Sequence, residues 1–214
     1  MRHTVLDVVV EPGNRHTSKT SHPHLWDLLG RMGQEHWPSL VRGDKDWGNE
    51  RNRARCEQEG LPYLFKQRMT KGVRRVVEKM VGRGGWRDAG QGWSGCKAEL
   101  RLSGWSRQRQ VVILRRPLRE TLALVRTNDD GQGELFWADA AGSDTVWEFA
   151  VLVTSLDLEV LSLAQLYRDR ADSENPFDEL KNQWGWAGFT TRDIKRCQIM
   201  ARLIALFYNW WSLF

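Results

Sequence analysis

Apolar and polar positions along this chain follow two different periods. Residues 4–10, TVLDVVV, are apolar and β-branched and predict a strand. The following EPGNRHTSKTSHPH reads as turn and loop, and residues 25–33, LWDLLGRMG, as a short helix ended by glycine. SLVRGDKDWGNE starts as an apolar strand and runs into polar residues, which puts Asp44 at the strand's end. NERNRARCEQEG predicts a helix closed by Gly60, and LPYLFKQR a further strand. The order β-α-β-α-β is an α/β pattern.

Beyond Lys66 the period changes. AELRLSG alternates with period two, and QVVIL, TLALV, ELFWA and WEFAVLVT are short strand candidates. TNDDGQGE reads as a hairpin-type turn, its acids as turn residues. After VLVTSLD the helical period returns. Residues 159–170 predict one helix, with Asp157 as a cap, and residues 191–214 a last helix capped by Thr190 or Thr191. Pro176 lies between them and either kinks a continuing helix or marks the start of a new one. The expected organisation is the first part of an α/β core over 1–69, a mostly β insertion over 70–146, and the end of the core over 147–214.

Composition changes this picture in two places. The net charge is +5, yet Lys66–Arg119 carry fifteen Lys or Arg against three Asp or Glu, a balance of +12 that leaves −7 elsewhere. Such a basic block favours a polyanionic partner. Cys56, Cys96 and Cys197 lie far apart with no C-x-x-C, which argues against a disulfide framework or a zinc site and fits the reducing cytoplasm. MRHTVLDVVV has no signal-peptide layout. IMARLIALFYNWWSLF is apolar but carries Arg202 and Asn209, so it reads as a buried helix and not a membrane span. The chain stops inside that helix, which hints at truncation. The twelve tryptophans, several in glycine-containing turns, read as packing and turn punctuation. His22 and His24 in SHPH have no third metal ligand nearby in the sequence.

The densest chemistry lies in YRDRADSENPFDELKNQW, residues 167–184. A solvated helix with opposite charges at i,i+3 and i,i+4 would account for the charge alone. On one continuous helix, however, Tyr167, Arg170, Glu174 and Lys181 fall within about 60° of one another. An aromatic, a cation, a carboxylate and a second cation would then share a stripe. Asp172 would face away, and Asp178, at i+4 from Glu174, is the rival acid. Phosphodiester transfer uses such parts: carboxylates hold hard divalent cations, and cations neutralise phosphates, arginine bidentately.

Residues 167–181 fit Y-x-x-R-x-x-x-E-x-x-x-x-x-x-K at every fixed position. This resembles the signature around the last catalytic acid of bacterial insertion-sequence transposases of the DDE type. LAQLYRDRADSENPFDELKNQWGWAGFTT and RCQIMARLIALFYNWWSLF look like one branch of these, the DDE group 1 transposases. PGNRHT and LVRGDKDWGNE look like two earlier blocks in the right order. The resemblance implies a ribonuclease-H-like α/β core interrupted by a β-rich insertion. It implies Asp44 and Glu174 as catalytic, metal-binding acids for Mg²⁺ or Mn²⁺. It implies Tyr167, Arg170 and Lys181 as residues that hold the DNA backbone. The implied partners are double-stranded DNA, as insertion-sequence ends and target, and a second copy in a homodimer on DNA, with no membrane.

The chain also departs from that pattern. The resemblance asks for a first aspartate in an Asp-x-Asp-like block upstream of PGN. Asp7 stands in TVLDVVV, which does not match, and reads as an outward-facing strand residue. The chain therefore resembles the C-terminal part of a transposase lacking one metal ligand, and alone it is expected to cut DNA weakly or not at all. Lys45 and Asp46 stand where uncharged residues are usual, and Pro176 replaces a helix former. The alternative is a catalytically dead DNA-binding remnant, or an inhibitor that pairs with the full-length enzyme.

Overall fold

The computed structural model describes residues 4–12, 17–118, 135–138, 146–170, 174–186 and 188–213. The chain divides into two compact units, Pro38–Arg168 and Met1–Trp37 with Asp169–Phe214. The fold is α/β, as the patterning predicts.

The first unit is built on a seven-stranded mixed sheet. Its strands are β1 (Val41–Gly43), β2 (Tyr63–Lys66), β3 (Arg87–Gly90), β4 (Trp93–Leu100), β5 (Arg109–Pro117), β6 (Leu135–Ala138) and β7 (Val146–Thr154). The order is β1-β2-β7-β5-β4-β3, with β6 also on β7. Among the described strands only β1 and β2 pair in parallel, in register Val41↔Tyr63. They are joined through helix α2 (Glu50–Gln58), the crossover that a parallel pair requires. β7 runs antiparallel to both β2 and β5, with Leu64↔Thr154 and Ile113↔Val151 in register. Strands β3 to β7 thus continue the sheet begun by β1 and β2.

Both faces of the central strands are buried. Val111, Val112 and Ile113 on β5 and Leu152 and Val153 on β7 are almost fully inaccessible, which explains why QVVIL and WEFAVLVT read as near-continuous apolar runs. One face packs on helix α4 (Val160–Arg168), where Val160, Leu163 and Ala164 meet Leu64, Val112, Leu114 and Leu152. The β3–β4 turn needs glycine: at Gly90, φ +78°, an added Cβ would lie 2.9 Å from an Arg168 guanidinium nitrogen.

Helix α3 (Lys71–Arg83) lies in the basic stretch for which the patterning offered no element. Thr70 caps it by accepting the Val73 N–H, and Val73 and Val77 are buried on its inner side. The basic residues between those valines obscured the helical period. TLALV and TNDDGQGE lie outside the described residues.

In the second unit, helix α1 spans Thr17–Met32, longer than the predicted 25–33, with Pro23 inside it. The buried stripe His22–Trp26–Leu29 carries the helix through the segment read as loop. Helices α5 (Glu174–Asn182) and α6 (Ile194–Leu213) follow. The α6 cap is Asp193, whose Oδ1 accepts the Lys195 N–H at 2.9 Å, while Thr191 accepts the Asp193 N–H at 3.1 Å.

The predicted strand 4–10 is not a strand. Its backbone groups are bonded to side-chain amides of α6. Asn209 accepts from the Val5 N–H and donates to the Val5 carbonyl, both at 2.7 Å. Gln198 accepts from the Val10 N–H at 2.7 Å and donates to the Val8 carbonyl at 2.6 Å. An extended segment must satisfy its polar groups somewhere, and here two amides take the place of a neighbouring strand. α6 itself, expected to be buried, buries Cys197, Ala201, Ala205 and Tyr208 but exposes Leu206, Phe207, Trp210 and Trp211. No helix among the described residues is long and apolar enough to cross a membrane.

Candidate active site

Asp44 directly follows β1, at the C-terminal end of the parallel pair. The chain turns tightly there: a Cβ on Gly43 would lie 2.5 Å from Cβ of Trp47. Asp44 Oδ1 accepts the Asp46 N–H at 2.9 Å, and its carbonyl accepts the Trp47 N–H at 3.2 Å. This is the local geometry aspartate favours in turns. Among the described residues Oδ2 has no hydrogen-bond partner. Asp44 is half-buried and keeps one carboxylate oxygen for a ligand. Its neighbour Asp46 is instead ion-paired with Arg68.

The turn is held from behind by a buried polar network that the sequence did not announce. Arg53 on α2 is 1% exposed; its guanidinium donates to the Gly48 carbonyl, donates to Gln67 Oε1 at 2.7 Å, and lies 4.1 Å over the Trp105 ring. Arg109 on β5 donates to Glu57 Oε1 at 2.6 Å and to Glu50 Oε2 at 2.7 Å. Ser106 reaches Glu50 through both its N–H and its hydroxyl, and Tyr63 donates to Glu57 at 2.8 Å. Burial alone raises the Glu50 carboxyl, but the Arg109 and Ser106 hydrogen bonds outweigh it and lower it to about 2. Burial lowers Arg109, and its bonds to Glu57 and Glu50 more than reverse that. Burial, and next the Arg109 charge, lower Arg53. The β4–β5 turn is thereby fastened to α2, and α2 to the Asp44 turn.

The signature residues divide between the units. Tyr167 lies in the last turn of α4, packed against the core cluster. Arg42, two residues before Asp44, donates to the Leu166 carbonyl at 2.5 Å. The strand carrying Asp44 and the helix end carrying Tyr167 are therefore tied together. Arg170 lies in the turn after α4, half-buried. Glu174 is the first residue of α5, and Lys181 is exposed in its last turn.

The predicted single helix over 159–170 thus ends at Arg168, and α5 starts anew at Glu174. The four-residue stripe is not one helical face. Pro176 sits in the first turn of α5, where its missing N–H costs nothing. The rival Asp178 accepts from Asn182 at 2.8 Å, a local helical contact. Asp7 is engaged by Arg31 at 2.5 Å and approached by Arg202 at 3.7 Å. Burial raises the Asp7 carboxyl, and the Arg31 bond, the Val8 N–H and the two charges bring it below its ordinary value. His24 bonds Glu11 at 3.2 Å. Among the described residues no three His, Cys, Asp or Glu side chains gather as a metal site.

Compared with known protein families, residues 1–210 match the transposase DDE domain. The chain belongs to the transposase DDE domain family. No curated protein matches it. Members of such a family cleave and transfer DNA, and the family generally uses divalent metals. In this transposase domain, Asp44 suits that role in kind: it offers a hard carboxylate oxygen at a strand's carboxyl end, where ligands of α/β sheets gather.

Proposed function

We propose that this chain is part of an insertion-sequence transposase whose full-length form cleaves DNA strands at the element's ends and transfers them to target DNA. Its core is ribonuclease-H-like, formed by 1–69 and 147–214 and interrupted by the insertion 70–146. The observation that carries the proposal is the Arg42–Leu166 hydrogen bond, which ties the Asp44 strand to the start of the Y-R-E-K segment. Asp44 and Glu174 are the acids that hold Mg²⁺ or Mn²⁺. Held there, a divalent cation would supply activation of the attacking oxygen and charge stabilisation of the leaving one. Tyr167, Arg170 and Lys181 hold the DNA backbone, Arg170 by its two-pronged guanidinium and Lys181 as a point charge. The domain acts on double-stranded DNA as a homodimer in the cytoplasm.

A second reading is favoured by one observation. Asp7 is held by Arg31 and Arg202, so it does not serve as the first acid. The chain alone then binds DNA without cutting it, as a remnant or as an inhibitor of the full-length enzyme. Nicking of end-containing DNA with Mg²⁺ or Mn²⁺ separates the two. Cutting that is lost in Glu174→Gln and Asp44→Asn supports a working transposase. Salt-dependent DNA binding without cutting supports the second reading. Neither binding nor cutting would sink both.

A further inference from the structure

The basic block of the sequence is not spread evenly over the fold. Seven of its fifteen cations are held by carboxylates or aromatic rings. Arg68 pairs with Asp46, Arg87 with Glu159 and Lys97 with Asp157. Arg107 and Arg109 pair with Glu57, and Arg116 with Glu148. Arg115 is sandwiched between the Trp86 and Trp147 rings at 4.0 and 4.3 Å. The largest group without such a partner lies on α3. Lys71, Arg74, Arg75, Lys79 and Arg83 are all exposed, and none of them pairs with a carboxylate among the described residues.

At 100° per residue these five cations occupy one half of the helix, about 180° wide, opposite Val73 and Val77. They span about 18 Å along its axis, roughly half a turn of duplex DNA. Glu78 shares that side, outside ion-pair distance of them. Arg101 extends the line. It is exposed, and its neighbour Leu102 packs against Gly72 in the first turn of α3, where an added Cβ would meet Leu102 at 2.6 Å. Five like charges on one surface repel one another, and an anionic partner relieves that cost.

A basic amphipathic helix can also lie on a membrane, but it does so by inserting its apolar side. Here Val73 and Val77 are each 1% exposed and already packed within the fold. What remains is a rigid row of cations with no apolar anchor, which suits the phosphate backbone of a nucleic acid.

We propose that α3 and Arg101 form a second DNA-backbone contact surface, separate from Tyr167, Arg170 and Lys181. The inference rests on the transposase reading. It makes the insertion a clamp that follows duplex phosphates without reading sequence.

The test is fluorescence anisotropy of a labelled random-sequence duplex titrated with the full chain at several salt concentrations. Three proteins are compared. They are the wild type, an α3 variant (Arg74→Gln, Arg75→Gln, Lys79→Gln, Arg83→Gln), and a charge-matched variant at ion-paired exposed sites (Arg55→Gln, Arg87→Gln, Lys97→Gln, Arg196→Gln). Each lost phosphate contact reduces the slope of log K against log salt by about 0.9. The α3 variant is expected to lose about 2 to 4 from the slope and at least about tenfold in affinity near 0.1 M salt. The charge-matched variant should lose far less. The single reversal Arg75→Glu should shift binding the same way with the least risk to the helix.

Wild-type binding that the α3 changes leave intact overturns the inference alone. Equal losses in both four-site variants overturn it too, leaving net charge as the cause. Absence of salt-dependent DNA binding by the wild type removes both the inference and the transposase reading. α3-dependent binding to vesicles containing phosphatidylserine, without DNA binding, would replace DNA with a lipid surface.

Discussion

Replacing Arg109 by methionine tests whether the network behind Asp44 holds the fold. The Arg109 side chain is 2% exposed, those of Glu50 and Glu57 are 26% and 10% exposed, and the guanidinium joins both carboxylates. Methionine fills much of the volume but removes the one guanidinium that bridges the two carboxylates, leaving Glu50 to Arg53 and Glu57 to Arg107. Breaking a buried pair from one side costs about 3–5 kcal/mol. Glu50 is partly open to water, so the lower end, about 3 kcal/mol, is the expectation at pH 7. The pH dependence gives the sharper check. Glu50 in the folded protein is lowered to about 2, below its unfolded value of about 4.3. A depressed carboxylate stabilises the fold in full above its unfolded pKa, and that stability is lost as pH falls toward its folded pKa. Urea unfolding of wild type and Arg109→Met at pH 7, 5, 4 and 3 should show a gap that is constant to about pH 5 and narrows below it. A gap under about 1 kcal/mol at pH 7, or one unchanged at pH 3, refutes the reasoning. A double-mutant cycle with Glu50→Gln should give a coupling energy above about 1 kcal/mol.

Gly90→Ala should lower the urea midpoint by the equivalent of about 1–3 kcal/mol, because φ is +78° there and the new Cβ would meet Arg168 at 2.9 Å. Burial pushes the Cys56 thiol up to about 12 and the Cys96 thiol up to about 11, and Cys197 is also buried. The native chain should therefore resist thiol reagents such as DTNB at pH 8 and react at all three sites in urea; fast native labelling would show these sites open. Leu206, Trp210 and Trp211 on α6 are 62%, 60% and 71% exposed. An apolar patch of this kind should bind the dye ANS, and Trp211→Lys should weaken that fluorescence without lowering Tm.

The elements that the sequence made legible are those whose order comes from neighbours in the chain. β1, α2 and β2 lie where apolar runs and Gly60 mark them, and α2 is capped by Asn49, which accepts the Asn52 N–H at 2.9 Å. The errors share a physical cause: a distant partner outweighed a local preference. Residues 4–10 have strand composition, but Gln198 and Asn209 bond their backbone across 188 to 204 residues. Pro23 made SHPH look like a loop, yet His22, Trp26 and Leu29 bury one side of a helix. In α3 the cations drew attention to charge, while Thr70, Val73 and Val77 carried the helical signal.

The same contrast governs the site. Asp44 could be placed from sequence because a strand end is a local property. The network behind it could not, since Arg109 finds Glu50 and Glu57 across 59 and 52 residues. One signal was available. Strand alternation puts Arg109 on the same face as Val111 and Ile113, both fully buried, and a cation on a buried face demands carboxylates. The signature segment is the harder case. Its charges read naturally as one helix, but α4 stops at Arg168 and α5 begins at Glu174 with Pro176 in its first turn. A proline in a first turn is favourable, and a proline in mid-helix is not. The proline that stands in the signature is therefore best explained by a helix start at Glu174, and not by a damaged helix. It follows that Tyr167 and Lys181 are set by different helices.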